Sequence, residues 1–508
     1  MNSMYACLHV PDFAVQAAVR LRPELRIHPT AVIEGDPPLE TIFALNAPAR
    51  AQGVAAGMSR LQAESFRGLK LHRRSLAEEA SAQAALLECA GAFSPRIEVV
   101  SFQYAQEPGG TVVIDIRGTT SLFGAPGQLA EAACRKVAGC GLKVHVAISE
   151  NFHAAVCAAR GYPGMTELAP GDEARLLAPL PLDVLDLSPE MSATFQLWGI
   201  QNCGALAGLP ERELIARIGQ EGKRLRALAR GKHPHLLVPV EADFRSELVE
   251  TIELEHPVEE LEPLLFLFSR MIDQLLFRVR ERSLAIAALH VCLTLDRKLD
   301  GQRQHHKRSV RPALPSQEHG TLLKLLQLDL EMHPPQAAVM VFEIRADSAR
   351  PHRAQHGLFL PQAPEPGRLE VVLARLRKLL GENRVGTPQL EDSHRPEAFR
   401  IAAFAPPAPR PAVEAAFSSR TALRVCRPPL VIHVTVREHK PSSIAMNGAE
   451  YGVASRAGPW RNSGQWWSET CWSREEWDVE LVDEKTRMVG RIAYDPASNC
   501  WYMQGIYD

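Results

Sequence analysis

Across residues 4–159 the hydrophobic period of this chain switches between that of strands and that of helices, and the order of the switches is what most limits its fold. Residues 4–10 read as a buried strand and 13–21 as a helix. Two more strands fit 96–101 and 111–116, with Pro108-Gly109-Gly110 as the turn between them. Residues 124–137 read as a helix, 143–148 as a strand and 151–159 as another helix. Strand-helix-strand-strand-helix-strand is the order of a split βαβ unit. Residues 26–80 interrupt it as an inserted subdomain.

A chain of 508 residues is too long for one core and predicts roughly three to five domains. Residues 166–235 are short helical stretches broken by Pro and Gly. Residues 240–346 alternate again: strands near 246–254, 284–295 and 338–344, and helices at 258–282 and 317–328. The run Ala405-Pro406-Pro407-Ala408-Pro409-Arg410-Pro411 reads as a polyproline linker closing a segment 347–411. Residues 412–508 hold six of the seven tryptophans and form a last region. The fold class expected is multidomain α+β. Ten cysteines without a C-x-x-C pair suit reduced thiols rather than disulfides or a zinc site. No signal peptide and no apolar run of about 18 residues is present, which predicts a cytoplasmic chain that makes no membrane contact. The net charge of −2 means that any nucleic-acid contact must come from local basic patches.

Several segments, in order, then point to a family. Ala47-Pro48-Ala49-Arg50-Ala51-Gln52-Gly53-Val54-Ala55-Ala56-Gly57-Met58 resembles the Y-E-A-R-K-F-G-V-x-x-G-M stretch in the fingers of Y-family (translesion, UmuC-like) DNA polymerases. Ile114-Asp115-Ile116-Arg117-Gly118 resembles their L-D-V-T-G strand, Leu122-Phe123-Gly124 their L-F-G, and Ala147-Ile148-Ser149-Glu150-Asn151 their G-I-A-x-N turn. Leu180-Pro181-Leu182 and Leu197-Trp198-Gly199-Ile200 resemble segments of the thumb. The resemblance spans about residues 4–345. It implies a right-hand body with palm and fingers in 1–165, the thumb in 166–235 and a little finger in 240–346.

That family joins a primer 3′-hydroxyl to a nucleotide with two Mg²⁺ ions, which require oxygen ligands and anionic charge around them. Here the carboxylates are missing. The family's D-x-D-x-F-F pattern puts His9 at the first metal-binding position. The S-I-D-E-A motif falls on Gln103 and Tyr104 when aligned from Ser101, or on Gly110 and Thr111 when aligned from Asp115. Neither alignment keeps an acid pair. The fingers tyrosine is Ala47, the phosphate-contacting lysine is Tyr162, and only Arg50 remains as a vestigial nucleotide contact. No catalytic residue, metal ligand or cofactor is therefore expected. Asp12, Glu107 and Asp115 are the acids left nearby for a rival reading, an active polymerase with displaced ligands.

The chain thus resembles the polymerase-like proteins of bacterial mutagenesis cassettes that have lost their catalytic acids. The resemblance implies an SOS-induced adaptor that recruits an error-prone DnaE-type polymerase to the sliding clamp, with a RecA-like ImuA protein as partner. Gln355-His356-Gly357-Leu358-Phe359 independently fits the Q-x-x-L-F pattern of clamp ligands, with Leu358 and Phe359 filling an apolar pocket and the Gln355 amide bonding at its edge. Two basic patches are the DNA candidates. One holds Lys223, Arg224 and Arg226 with Arg230 and Lys232, beside a Trp198-Gly199-Ile200 segment expected to offer backbone amides to a phosphate. The other holds Arg303, Lys307 and Arg308 and is expected between a strand and a helix. Contacts of this kind are phosphate-directed and salt-sensitive. A second rival is a pure protein scaffold that never touches DNA. In the tail, Trp466, Trp467, Trp472 and Trp477 suit a small β core or a protein-docking surface. The nine acids against five bases of 460–508 favour protein over DNA as its ligand.

Overall fold

The structure is a computed structural model that describes residues 4–104, 109–240, 247–299, 302–351, 366–381, 384–392, 398–402, 422–467, 471–483 and 486–508. It divides into two units, Met1–Lys378 and Leu379–Asp508. The clamp motif and the 405–411 run lie outside the described residues, as does Glu107.

In the first unit the strand Tyr5–His9 is the middle of a five-stranded sheet. It pairs antiparallel with Thr111–Asp115 on one side and His145–Ser149 on the other. Ile97–Val99 and Met165–Glu167 are the edges. The expected strands are all present; Met165–Glu167, parallel to His145–Ser149, was not foreseen. Alternation along the central strand decides what each face meets. Ala6, Leu8 and Val10 pack with the helices Leu76–Gly91 and Pro126–Gly139. Tyr5 and Cys7 join the helix Phe152–Gly161 and the short helices that follow, from Glu173–Leu177 to Gln220–Ala229. Asn151 holds that junction: its side chain caps Phe152–Gly161 by accepting from Ala154 N (3.0 Å) and donates to the His233 carbonyl (3.0 Å). The inserted 26–80 region is built on a three-stranded sheet with Thr30–Glu34 between Thr41–Leu45 and Lys70–Arg73.

The second sheet of this unit is antiparallel throughout, in the order Gln302–Val310, Ala285–Leu299, Val339–Ala349, Leu248–Val258. The helices Leu261–Glu281 and His319–Met332 back it. Here the sequence expectation is corrected. The basic run holding Arg303, Lys307 and Arg308 is the edge strand Gln302–Val310, not a connection between a strand and a helix. Its alternation is of charged and polar side chains with almost no apolar face, so the period-two signal was invisible.

The second unit holds a two-stranded ribbon, Thr387–Leu390 with Phe399–Ala402, and a closed six-stranded barrel. The barrel strands are Leu423–Arg437, Lys440–Met446, Ala449–Gly464, Trp472–Val482, Arg487–Asp495 and Cys500–Tyr507. The last three were expected. The first three complete what sequence suggested was a small sheet. Two tight turns join them: Glu438-His439 and Asn447-Gly448 are both left-handed at both residues, the geometry that matches strand twist. Ile432, Ile444, Trp477, Val479, Leu481, Ile492 and Met503 fill the interior. Among the described residues, no helix is long and apolar enough to cross a membrane.

Candidate functional site

His9 ends the central strand, on the face that Tyr5 and Cys7 share. The register sets it opposite Thr111 and His145, and its Nδ1 lies 2.8 Å from the Thr111 hydroxyl. Burial, then the Arg160 guanidinium and His145, push its pKa down to about 3. The ring is neutral at any physiological pH. Thr111 is fully buried. Gly110, just before it, has φ +78°, and its carbonyl accepts from Val10 N at 2.8 Å. A Cβ on Gly110 would fall 2.7 Å from the Phe13 ring, and one on Gly109 would fall 2.9 Å from it. No side chain fits at either glycine unless Phe13 moves.

Gln103 and Tyr104 are not on a strand. They lie on a loop whose backbone N–H groups donate to the Asp186 carboxylate at 2.7 and 2.9 Å. Tyr104 and His9 line one cavity of about 630 Å³, with Asp12, Arg160, Asp183 and Asp186. Arg160 reaches it by stacking 4.1 Å over Phe102 and donating to the Val184 carbonyl at 2.9 Å. Burial depresses its pKa. Arg160 and Asp186 were not singled out from sequence, because nothing in their local pattern shows that distant segments bring them together.

Asp12 and Asp115, the described acids weighed from sequence, are each held by an arginine. Asp12, left-handed at φ 48°, heads the helix Phe13–Val19 without capping it. Its carboxylate accepts instead from Arg50 Nη2 at 2.8 Å. Arg50, the cation singled out from sequence, is thus already paired with a carboxylate. Asp115 is at the other end of the sheet, opposite Tyr5, four strand residues or about 13 Å from the Thr111 position. Burial alone would raise its pKa, but hydrogen bonds from Arg117 and the charge of Arg96 outweigh it and hold the carboxyl below its usual range. Tyr162 donates its hydroxyl to the Leu176 carbonyl at 2.6 Å and so ties two helices together. Among the described residues no three His, Cys, Asp or Glu side chains are grouped to hold a metal ion.

The basic patches divide. Lys223 lies 3.7 Å from Glu211, Arg224 is bidentate on Glu221, and Arg226 bonds Glu211 and the Leu209 carbonyl. Gly199 is left-handed (φ +73°), and the segment offers no free amide. The N–H groups of Trp198, Gly199 and Ile200 donate to the carbonyls of Thr194, Gln196 and Phe195. They close the C-terminus of the helix Pro189–Leu197, the pole that repels a phosphate. This corrects the phosphate-nest expectation. On the second sheet, Arg308 is bidentate on Asp329 (2.8 and 2.6 Å) and touches His333, whereas Arg303 and Lys307 stand exposed on the same strand.

In the barrel, Trp477 is an interior residue, 4% exposed, and Trp472 is half-buried. Trp466 and Trp467 are exposed at 83% and 72%, stacked edge to face near the end of the hairpin formed by Ala449–Gly464 and Trp472–Val482. Of the four, these two are the most exposed.

Comparison with known proteins shows what this chain is similar to. The impB/mucB/samB family matches residues 8–160. Protein ImuB of Caulobacter vibrioides (strain NA1000 / CB15N) is 23% identical over 405 residues, covering 78% of this chain and 84% of that protein, and ImuB of strain ATCC 19089 / CIP 103742 / CB 15 matches equally. Among solved structures, a Dbh ternary complex aligns with TM-score 0.39 at 15% identity, over 68% of this chain and 99% of the other. DinB from Sulfolobus solfataricus aligns with TM-score 0.38 at 16% identity, over 69% and 100%.

Proposed function

We propose that this ImuB-like Y-family homologue is a non-catalytic adaptor of translesion synthesis in the SOS response. In this reading it binds DNA and the bacterial sliding clamp and brings an error-prone DnaE-type polymerase to them, with a RecA-like ImuA protein. The observation that carries the absence of catalysis is the filling of the metal position. A neutral His9 bonded to Thr111 stands where the first carboxylate belongs, and Phe13 leaves Gly110 no room for another. Of the two alignments, the sheet register favours Gly110 and Thr111 as the remnant of the lost acid pair, since Thr111 is the residue opposite His9. Two dications there would meet His9 and Thr111 where the family's ligands are carboxylates, and the Asp12–Arg50 pair competes with any triphosphate for Arg50.

The test is primer extension by the purified chain on a primed template with Mg²⁺ or Mn²⁺, alone and with sliding clamp. The expected result is no incorporation, together with clamp binding that disappears when Gln355, Leu358 and Phe359 are all changed to Ala. Incorporation lost in Asp12→Ala or Asp115→Ala would instead establish an active polymerase with relocated ligands.

One observation favours the pure scaffold for part of the surface. The cations at 223–226 are neutralised by Glu211 and Glu221 on their own face. We therefore assign DNA contact chiefly to Arg303 and Lys307, and protein contact to Trp466 and Trp467.

A further inference from the structure

The first sheet and the second sheet of the Met1–Lys378 unit meet through a network of charges that water does not reach. Glu250, on the strand Leu248–Val258, is fully buried and lies between two guanidinium groups. Arg20, 3% exposed, comes from the end of the helix Phe13–Val19 and bonds both Glu250 oxygens. Arg278, fully buried on the helix Leu261–Glu281, reaches Glu250 Oε1 at 3.2 Å and the Val249 carbonyl at 3.1 Å. Its other edge is bidentate on Glu88 of the helix Leu76–Gly91, at 2.9 and 2.8 Å, and Arg282 joins the same carboxylate. Ser81 closes the circuit with contacts to Arg20 (2.8 Å), Glu250 (2.8 Å) and the Val249 carbonyl (3.1 Å).

Around this centre run further bonds that cross the same boundary. Arg22 bonds Glu78 and the Glu253 carbonyl, while Glu78 accepts from Glu253 N at 3.1 Å. His72 lies 2.8 Å from Glu255, and Lys136 pairs with Glu281. Apolar packing follows the same line: Leu21 lies in the core of the second sheet, and the Phe277 ring seats so closely on Gly139 that a Cβ there would be 2.8 Å away.

An apolar contact between two domains tolerates sliding, because dispersion and burial are nearly indifferent to register. A buried carboxylate between two guanidiniums does not. A shift of one body against the other parts Arg20 from Glu250 and Glu88 from Arg278, which leaves buried charges away from their partners and out of reach of water, among the most destabilising changes a protein can suffer. We propose that Arg20, Glu88, Glu250 and Arg278 are positioning residues that fix the second sheet to the palm-like body in one arrangement, with or without DNA. The exposed Arg303–Lys307 strand then meets a duplex as part of a rigid surface, not as a swinging arm. This last consequence rests on the DNA-binding reading above; the fixed arrangement does not.

Fluorophores introduced through non-natural amino acids at the exposed positions Leu122 and Phe266 report the distance between the two sheets in the full chain. The expected result is one narrow distance distribution that a primed duplex leaves unchanged. Glu250→Gln is expected to widen it at least twofold, and Glu250→Asp to restore part of the narrowing, which loss of fold alone would not produce. Two populations in the wild type, a shift on adding duplex, or a Glu250→Gln distribution as narrow as wild type would overturn the proposal. Should Glu250→Gln not fold, the two wild-type measurements decide alone. A narrow distribution in a chain that binds no duplex supports the fixed arrangement while sinking the DNA reading.

Discussion

At the scale of single residues, the cavity sets a neutral histidine, His9, and a half-buried cation, Arg160, beside Asp12, Asp183 and Asp186. Neutral histidine has a thermodynamic signature. His9 and His153 both have pKa values lowered to about 3 in the folded state, chiefly by burial. The unfolded chain therefore binds more protons between roughly pH 6.5 and 3. Stability is fully present above about pH 6.5 and is lost as pH falls through that window, by at most about 1.4 kcal/mol per pH unit and group. The urea midpoint should therefore fall between pH 7 and pH 5, and His9→Gln should flatten that fall. A midpoint that is level across this range would contradict a buried neutral His9.

At the scale of elements, the edge strand Gln302–Val310 separates two kinds of basic residue that look alike in sequence. Arg308 turns toward the helix His319–Met332, where Asp329 fixes it; its removal strands a half-buried acceptor. Arg308→Ala is expected to cost about 1–3 kcal/mol of stability, read by chemical denaturation. Arg303→Ala with Lys307→Ala should leave stability within about 0.5 kcal/mol, as exposed changes usually do. The same pair should weaken duplex binding at every sequence and lower the slope of log K against log salt by about 2. Equal salt slopes for wild type and the double variant would remove DNA contact from this strand. Neither role could be read in advance, since the alternation that sends odd residues out and even residues in is visible only once the run is known to be a strand.

At the scale of the whole molecule, two units share one chain. The barrel has its own core and closes on itself, so none of its strands is left as a free edge. Residues 379–508 expressed alone should therefore show a β-type circular dichroism spectrum and a single cooperative denaturation. Residues 1–378 should keep the midpoint of the full chain for their own transition. A barrel fragment that stays unfolded would show that the division into units is not one of stability.

The sequence by itself determined the order of strands and helices in the first unit and the motifs by which the chain resembles impB/mucB/samB proteins. Those rest on local hydrophobic period and on residue identity at motif positions, which need no knowledge of distant contacts. Three things were left to the tertiary structure. Which residue faces His9 depends on strand register, so that Thr111 lies opposite it could be read only from the pairing. Which cations are free depends on acids brought near by folding: Glu211, Glu221 and Asp329 occupy Lys223, Arg224, Arg226 and Arg308, whereas Arg303 and Lys307 stand exposed. The buried network of Arg20, Glu88, Glu250 and Arg278 joins residues up to 258 positions apart (278 minus 20). Each of its members reads in sequence as an ordinary surface charge, because burial is a property of the assembled fold and not of the residue.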